Sequence, residues 1–280
     1  MDSGEWQVAR RRKGAARREK PASTIQQHSP HAADSHRDKE RIKDAMNELR
    51  GEDFWLEWKE LLKSCLSACA FGSSEDGGGV VSETQLDCVC YGLGSFSTCV
   101  SARYQLAMLL MLLDTLQIPV GRCCVYDPVF SVSECETLRD LGLSVLTENE
   151  EGKRAVSRPT LFYLMHCGKA LYNNLLWKNW SPQTLPKVIV IGNSFHGIQE
   201  RILQRELQRD YSFLSDVIPA CEETILPCSQ RFFDVFNDTA IIRFPAESIQ
   251  RLPECTWTQP QEPQYQHCQD LEIIQKERRS

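Results

Sequence analysis

The chain has 280 residues, of which 25% are charged and 41% hydrophobic, and its formal net charge is −6 at pH 7. This composition is typical of a globular protein, and the negative charge argues against direct nucleic-acid binding, because phosphate contacts need a basic surface. The longest apolar run, residues 106–113, is too short to cross a bilayer, which needs about 20 apolar residues, so we expect no membrane partner.

The N-terminal residues 1–38 are polar and lack hydrophobic periodicity, which predicts a disordered tail. Within residues 1–20, seven Arg or Lys residues outnumber three acidic ones, which leaves a local net charge of +4. Such a basic cluster is found both in nuclear addresses and in solvated tails. We therefore expect a cytoplasmic protein, with nuclear entry as an open alternative.

Residues 39–71 predict an amphipathic helical segment, because apolar residues such as Trp55, Trp58 and Leu62 recur at three- and four-residue spacing. A break near Gly51 is compatible with this pattern. The glycine run 77–79 that follows predicts a flexible linker to the next part of the chain.

Residues 84–250 predict a Rossmann-like α/β domain of three layers with a mainly parallel sheet, because short apolar runs alternate with helical patterns. Runs such as 188–191 are continuously apolar, as expected of strands that are buried on both faces. The predicted strands are 86–91, 122–126, 143–146, 160–165, 188–191, 218–226 and 239–244. The predicted helices between them are 99–116, 133–141, 168–177, 197–208 and 230–236.

Two further signals concern the ends of these elements. Ser133 is predicted to cap the helix over 133–141, with Glu136 at the fourth position of a capping box. Beyond residue 250 the chain is rich in Gln, Pro and Glu, which predicts a loose polar tail over 251–280.

The 13 cysteines are odd in number and include no Cys-x-x-Cys pair. Zinc sites and disulfide frameworks usually show paired spacing, so we expect reduced thiols and no metal site. Cys88, Cys90, Cys123 and Cys124 lie within apolar runs, where a free cysteine acts as a small hydrophobic residue.

Polar residues follow four of the predicted strands. In a parallel α/β sheet, ligands bind beyond the carboxyl ends of the strands, where the strand order reverses. We therefore expect one crevice that holds a nucleotide-like small molecule as cofactor. The residues predicted to bind it are Gly92, Gly94, Ser95, Asp127, His166, Asn193 and Ser194.

Each part of this site has a chemical rationale and an alternative. Gly92 and Gly94 allow a tight turn and a close approach to a ligand phosphate, and Asp127 stands where dinucleotide-binding domains place a ribose-binding carboxylate. However, Ser97 replaces the last glycine of the fingerprint, and Asp127 is further away than the usual ~20 residues. A tight turn without a ligand is therefore the alternative.

His166 and Cys167 are the remaining candidates for chemistry. Histidine can serve as acid, base or ligand near neutral pH, and equally as a hydrogen-bonded structural residue. A cysteine becomes a nucleophile only if its pKa is lowered. No established catalytic motif accompanies them, so no catalytic residue is assigned, and an enzyme is the less favoured reading.

Five segments, taken in chain order, carry a family resemblance. They are 92–96 (Gly-Leu-Gly-Ser-Phe), 105–110 (Gln-Leu-Ala-Met-Leu-Leu), 125–130 (Val-Tyr-Asp-Pro-Val-Phe), 162–167 (Phe-Tyr-Leu-Met-His-Cys) with 171–176 (Leu-Tyr-Asn-Asn-Leu-Leu) and 179–180 (Asn-Trp), and 190–194 (Val-Ile-Gly-Asn-Ser). Together they resemble the SRR-like ("sensitivity to red light reduced") family, most closely its vertebrate members, over roughly residues 85–245. Met165 departs from the family pattern, in which proline often precedes His-Cys.

The resemblance implies a regulatory protein that acts through protein partners of unknown identity. It implies roles in circadian rhythm and core clock gene expression, and in the control of haem biosynthesis, but supplies no catalytic residues. The residues themselves leave open a Rossmann-type enzyme, for example a methyltransferase, with an adenosyl or nicotinamide cofactor at residues 92–97 and Asp127.

Overall fold

The computed structural model describes residues 30–67, 86–258, 261–265 and 268, and within them the chain forms an α/β fold around a seven-stranded sheet. The strands are β1 (Asp87–Tyr91), β2 (Cys123–Tyr126), β3 (Ser144–Val145), β4 (Thr160–Leu164), β5 (Val188–Asn193), β6 (Glu222–Ile225) and β7 (Thr239–Arg243). Their spatial order is β3-β2-β1-β4-β5-β7-β6. Strands β1 to β5 are parallel, and β7 is antiparallel to both of its neighbours. The predicted mainly parallel sheet is therefore confirmed.

Helices cover both faces of this sheet and give the three predicted layers. In the described residues they are α1 (Pro30–Arg50), α2 (Asp53–Ser67), α3 (Val100–Thr115), α4 (Val132–Asp140), α5 (Lys169–Lys178), α6 (Phe195–Arg201), α7 (Gln204–Asp210), α8 (Ser212–Val217), α9 (Phe233–Phe236) and α10 (Ala246–Gln250). The sheet face that carries Cys88 and Cys90 packs against α1 to α4 and α9, and the face that carries Val89 packs against α5 to α8 and α10. None of the described helices is long and apolar enough to span a bilayer.

The central strands are apolar throughout because helices cover both of their faces. In β4, Leu161 and Tyr163 face one helical layer and Phe162 and Leu164 face the other, and all four are fully buried. This is why the pattern of these strands is continuous rather than alternating. The cysteines of β1 are part of the same core, as expected from their apolar surroundings.

Helices α1 and α2 correspond to the predicted amphipathic segment and meet near Gly51, but α1 begins earlier than expected. Its first helical residue is Pro30, and Ser35 and Asp38 are buried. The Thr137 hydroxyl of α4 lies 3.0 Å from Ser35 Oγ. The predicted disorder therefore does not extend over residues 30–38, because a polar helix face is bonded to a neighbouring helix. The basic cluster and the linker 77–79 lie outside the described residues.

The cap of α4 is two residues from the predicted position. Ser131 is the N-cap and accepts a hydrogen bond from the Glu134 amide at 3.2 Å, while Glu134 Oε2 accepts from the Ser131 amide at 2.9 Å. Ser133 and Glu136 lie within the helix. Both pairs satisfy the Ser-x-x-Glu pattern, and only the earlier one brings Glu134 next to the loop that follows β1.

Other differences lie in the C-terminal half of the chain. The predicted helix 197–208 is divided into α6 and α7 by Ile202 and Leu203, whose backbones are extended. The predicted strand 218–226 is shortened to β6, because Ile218–Ala220 forms a 3₁₀ turn that contains Pro219.

The C-terminal tail was predicted to be loose, but part of it packs against α5. Tyr265 is buried, its hydroxyl accepts from Asn173 Nδ2 at 3.1 Å, and it donates to Asn174 Oδ1 at 2.7 Å. A short 3₁₀ helix, Glu254–Trp257, precedes it. The aromatic side chain of Tyr265 therefore anchors this otherwise polar segment to α5.

Candidate functional site

The strand order places a cavity of about 370 Å³ at the carboxyl edge of the parallel strands. Strand β1 lies between β2 and β4, so the chain direction across the sheet reverses there, which is the usual position of a ligand crevice in this architecture. The residues that line the cavity are Tyr91, Gly92, Tyr126, Asp127, Pro128, Val129, Asn149, Glu151, Gly152, His166, Cys167, Gly168 and Leu171.

Three of the residues predicted for the site, Gly92, Asp127 and His166, line this cavity. They follow β1, β2 and β4, whose parallel directions bring their ends together. Gly92 has φ +68°, and a Cβ there would lie 2.7 Å from Cys167 Sγ, so the turn requires glycine. The parallel direction of β1, β2 and β4 therefore brings these three residues to one crevice.

The backbone around the cavity is strained. His166 has φ +52° and Glu151 has φ +53°, a conformation that non-glycine residues rarely adopt. Both residues line the same cavity. Strain of this kind persists only where the surroundings enforce it, and it often accompanies ligand sites.

Asp127 is held by the backbone on both sides. Its Oδ2 accepts from the Gly94 amide at 2.7 Å, and its Oδ1 accepts from the Val129 amide at 2.9 Å. Each carboxylate oxygen keeps a lone pair for a further donor. Asp127 thus links the turn after β1 to the turn after β2 through hydrogen bonds, and it is half-buried at the cavity wall.

Gly94 and Ser95 do not line the cavity, because acidic side chains hold this loop from outside. Glu134 Oε1 accepts from the Ser95 hydroxyl at 2.8 Å and from the Ser97 amide at 3.0 Å. Burial raises the pKa of Glu134, but bonds from the Ser131 and Ser97 amides and from Ser95 outweigh burial, so the pKa lies below its ordinary value. Glu134 is 1% exposed. In the sequence, the only indication of its role in this loop is its position in a Ser-x-x-Glu pattern.

Asn193 and Ser194, at the end of β5, are also absent from the cavity lining. The Tyr172 hydroxyl accepts from the Asn193 amide at 2.9 Å, and Ser194 caps α6 by accepting from the Gly197 amide at 2.8 Å. Ser194 also donates to Glu223 Oε1 on β6 at 2.5 Å. Both residues join β5 to adjacent elements, which turns them away from the crevice.

The loop after the short strand β3 contributes cavity residues that sequence reasoning missed. Asn149, Glu151 and Gly152 line the cavity. Asn149 Oδ1 accepts from the Glu151 amide at 2.9 Å, and Asn174 of α5 donates to Glu151 O at 2.7 Å. The available signal was the position of Asn149 and Gly152 after a predicted parallel strand.

His166 and Cys167 bind different carbonyl groups and do not form a nucleophile–base pair with each other. His166 Nε2 lies 2.9 Å from Val235 O, which can only accept, so this nitrogen carries a proton. The Cys167 thiol donates to Tyr91 O at 3.4 Å. The arrangement favours binding over nucleophilic catalysis. Among the described residues, no three His, Cys, Asp or Glu side chains are grouped to hold a metal ion.

Comparison with known proteins gives one family. A family model described as the SRR1 domain matches residues 70–243. An SRR1-like protein of Mus musculus is 42% identical over 230 residues, which cover 74% of this chain and 90% of the mouse protein. The Arabidopsis thaliana protein SENSITIVITY TO RED LIGHT REDUCED 1 is 38% identical over 144 residues, 51% of this chain and 49% of the plant protein. An SRR1-like protein of Drosophila melanogaster is 36% identical over 171 residues, 61% of this chain and 59% of the fly protein. No solved structure matches significantly.

Proposed function

Because the chain belongs to the SRR1 domain family, we propose that it is a regulatory protein whose output depends on a small molecule bound at the carboxyl edge of its sheet. The observation that carries this proposal is the cavity at the strand reversal, which Gly92, Asp127 and His166 line. Its volume lies within the range of about 300–1,000 Å³ typical of small-molecule sites. The strained backbone at His166 and Glu151 supports a ligand role for the same cavity.

The biological output that we propose follows from the family resemblance. It comprises circadian rhythm with core clock gene expression, and control of haem biosynthesis. The plant relative is named for reduced sensitivity to red light, which supports a role in signalling rather than in one metabolic step. Protein partners would transmit the signal, in the cytoplasm or also in the nucleus.

The test is depletion of the protein from cells followed by rescue with variants that differ only at the cavity. Val129 lines the cavity and is 55% exposed, so Val129→Trp fills the crevice from its rim. Val132 is 69% exposed and does not line the cavity, so Val132→Trp is the matched control. We expect depletion to alter haem content and clock transcripts, and expect wild type and Val132→Trp to restore both.

Val129→Trp should fold but fail to rescue. Equal rescue by the two Trp variants would remove the crevice from the mechanism and leave the regulatory role intact. Unchanged haem content and clock transcripts after verified depletion would contradict the regulatory role itself.

A Rossmann-type enzyme, such as a methyltransferase, is the second candidate. The position of Asp127 at the end of β2, facing the cavity, favours it, since a ribose-binding carboxylate occupies this position in dinucleotide-binding domains. Incubating the full chain with S-adenosylmethionine and a cell extract, and measuring the demethylated cofactor released, tests this candidate. Wild-type release that Val129→Trp abolishes and Val132→Trp retains would support it.

A further inference from the structure

Three donors of the glycine loop after β1, which a phosphate could otherwise use, are already bonded to carboxylates. A dinucleotide-binding loop offers free backbone amides to the pyrophosphate at the start of the next helix. Here the Gly94 amide donates to Asp127 at 2.7 Å, and the Ser97 amide donates to Glu134 at 3.0 Å. The Ser95 hydroxyl also donates to Glu134, at 2.8 Å. Two carboxylates therefore occupy the positions around which a phosphate would bind.

The charges on the cavity wall also disfavour an anion. The described residues that line it include Asp127 and Glu151 but neither Lys nor Arg. Glu151 is paired with Lys153 at 2.5 Å, whereas the hydrogen bonds to Asp127 come from backbone amides. A phosphate near Asp127 would thus meet a carboxylate of like charge, with no Lys or Arg among the described lining residues to offset it.

The same wall suits an uncharged sugar with a flat base. The Asp127 oxygens can each accept one more hydrogen bond, which matches the hydroxyl donors of a ribose. Tyr126, Val129 and Leu171 supply aromatic and aliphatic surface for a base. The cavity of about 370 Å³ is at the small end of the range for ligand sites.

We propose that the crevice selects a phosphate-free nucleoside, neutral or cationic, and rejects nucleotides and dinucleotides. This inference rests on the proposed function, in which the crevice holds a small ligand. It specifies the chemistry of that ligand: ribose hydroxyls at Asp127, a base against Tyr126 and Val129, and no anionic group towards the glycine loop.

The experiment is titration calorimetry on the purified full chain with four probes: adenosine, guanosine, and their 5′-monophosphates. We expect at least one nucleoside to bind, and its monophosphate to bind at least tenfold more weakly. The bound nucleoside should be lost in Val129→Trp and retained in Val132→Trp, with circular dichroism confirming that both variants are folded. These wild-type affinities do not depend on any variant folding correctly.

Two results would overturn the inference. One is a monophosphate that binds as tightly as its nucleoside, and the other is the absence of binding by either nucleoside. Neither result touches the proposed function, because cellular rescue by Val132→Trp but not Val129→Trp would still identify the crevice as necessary. Equal rescue by both variants, when the wild-type chain binds a nucleoside, would instead retain the ligand and remove its regulatory role.

Discussion

At the scale of single residues, two carboxylates determine the shape of the glycine loop. Asp127 connects it to the end of β2, and Glu134 connects it to the start of α4. The position of Asp127 after β2 predicts a ligand-binding role, and in the structure its carboxylate also accepts hydrogen bonds from two backbone amides. Loss of the ligand role would lower ligand affinity, whereas loss of the structural role would lower the free energy of unfolding.

Asp127→Ala should lower the free energy of unfolding by about 1–3 kcal/mol, because the Gly94 and Val129 amides lose their acceptor. Urea unfolding monitored by circular dichroism measures this loss. Loss of nucleoside binding should accompany it. A variant as stable as wild type would show that water replaces the carboxylate at no cost.

Glu134 should make stability depend on pH. Its pKa is lowered in the folded state, so its contribution is fully present above the unfolded pKa of about 4.3 and is lost as pH falls through the folded value. Glu134→Gln should therefore be less stable than wild type at pH 7, by about 1–3 kcal/mol, and this difference should shrink below about pH 4.

The measurement is urea unfolding at pH 7, 5, 4 and 3. Glu136→Gln, an exposed position on the same helix, is the control and should match wild type at every pH. A wild-type advantage over Glu134→Gln that persists unchanged to pH 3 would contradict the role given to the Glu134 charge.

At the scale of elements, α2 packs on the rest of the fold through several buried side chains, of which Trp58 is the largest that is fully buried. Trp58 is fully buried, donates from Nε1 to Pro227 O at 2.6 Å, and lies 5.6 Å from the ring of Phe236 in an edge-to-face arrangement. The helix therefore contacts both α9 and the segment that follows β6. Its amphipathic pattern predicted a buried face but not what that face contacts.

Trp58→Ala should destabilise the protein by about 3–5 kcal/mol, the usual cost of emptying a large aromatic site in a core. Leu56 lies on the same helix and is 54% exposed, so Leu56→Ala should change stability by less than about 0.5 kcal/mol. Urea unfolding of both variants checks the pair. Similar losses in the two variants would contradict the role given to Trp58 packing, since alanine is the best helix former and cannot destabilise α2 through its propensity.

The strands were predictable because burial on both faces makes them continuously apolar, and the meeting of Gly92, Asp127 and His166 followed from parallel strand direction alone. Two kinds of information were missing. The insertion of β7 between β5 and β6 depends on long-range pairing that no local pattern encodes. The roles of Glu134 and Asn193 depend on side-chain direction, because the same topology allows either residue to face the crevice or the interior.

At the scale of the whole molecule, the buried core extends beyond the segment that the family model matches. Residues 70–243 omit α1, α2 and α10, whose apolar faces are buried in the two core layers. They also omit Tyr265, whose hydroxyl forms hydrogen bonds with the buried side chains of Asn173 and Asn174 on α5. We therefore expect the folding unit to include these flanking parts.

Residues 70–243 expressed alone should lack cooperative urea unfolding and should bind the hydrophobic dye ANS, because apolar core surface that α1, α2 and α10 bury would be exposed. The full chain should unfold cooperatively and bind little dye. Near-ultraviolet circular dichroism and dye fluorescence compare the two. A fragment with the same unfolding midpoint as the full chain would show that the flanking helices are dispensable.

The position of β7 in the sheet matters while the protein is being synthesised. Strand β7 pairs with β5 although β6 precedes it in the chain, so the outer edge of β5 has no partner until residues 239–243 leave the ribosome. An unpaired apolar edge is a template for pairing with other chains. A premature stop codon between β5 and β7 leaves that edge open for the lifetime of the product, whereas a stop after residue 243 leaves β5 paired with β7. The toxicity of nonsense alleles should therefore change abruptly at β7.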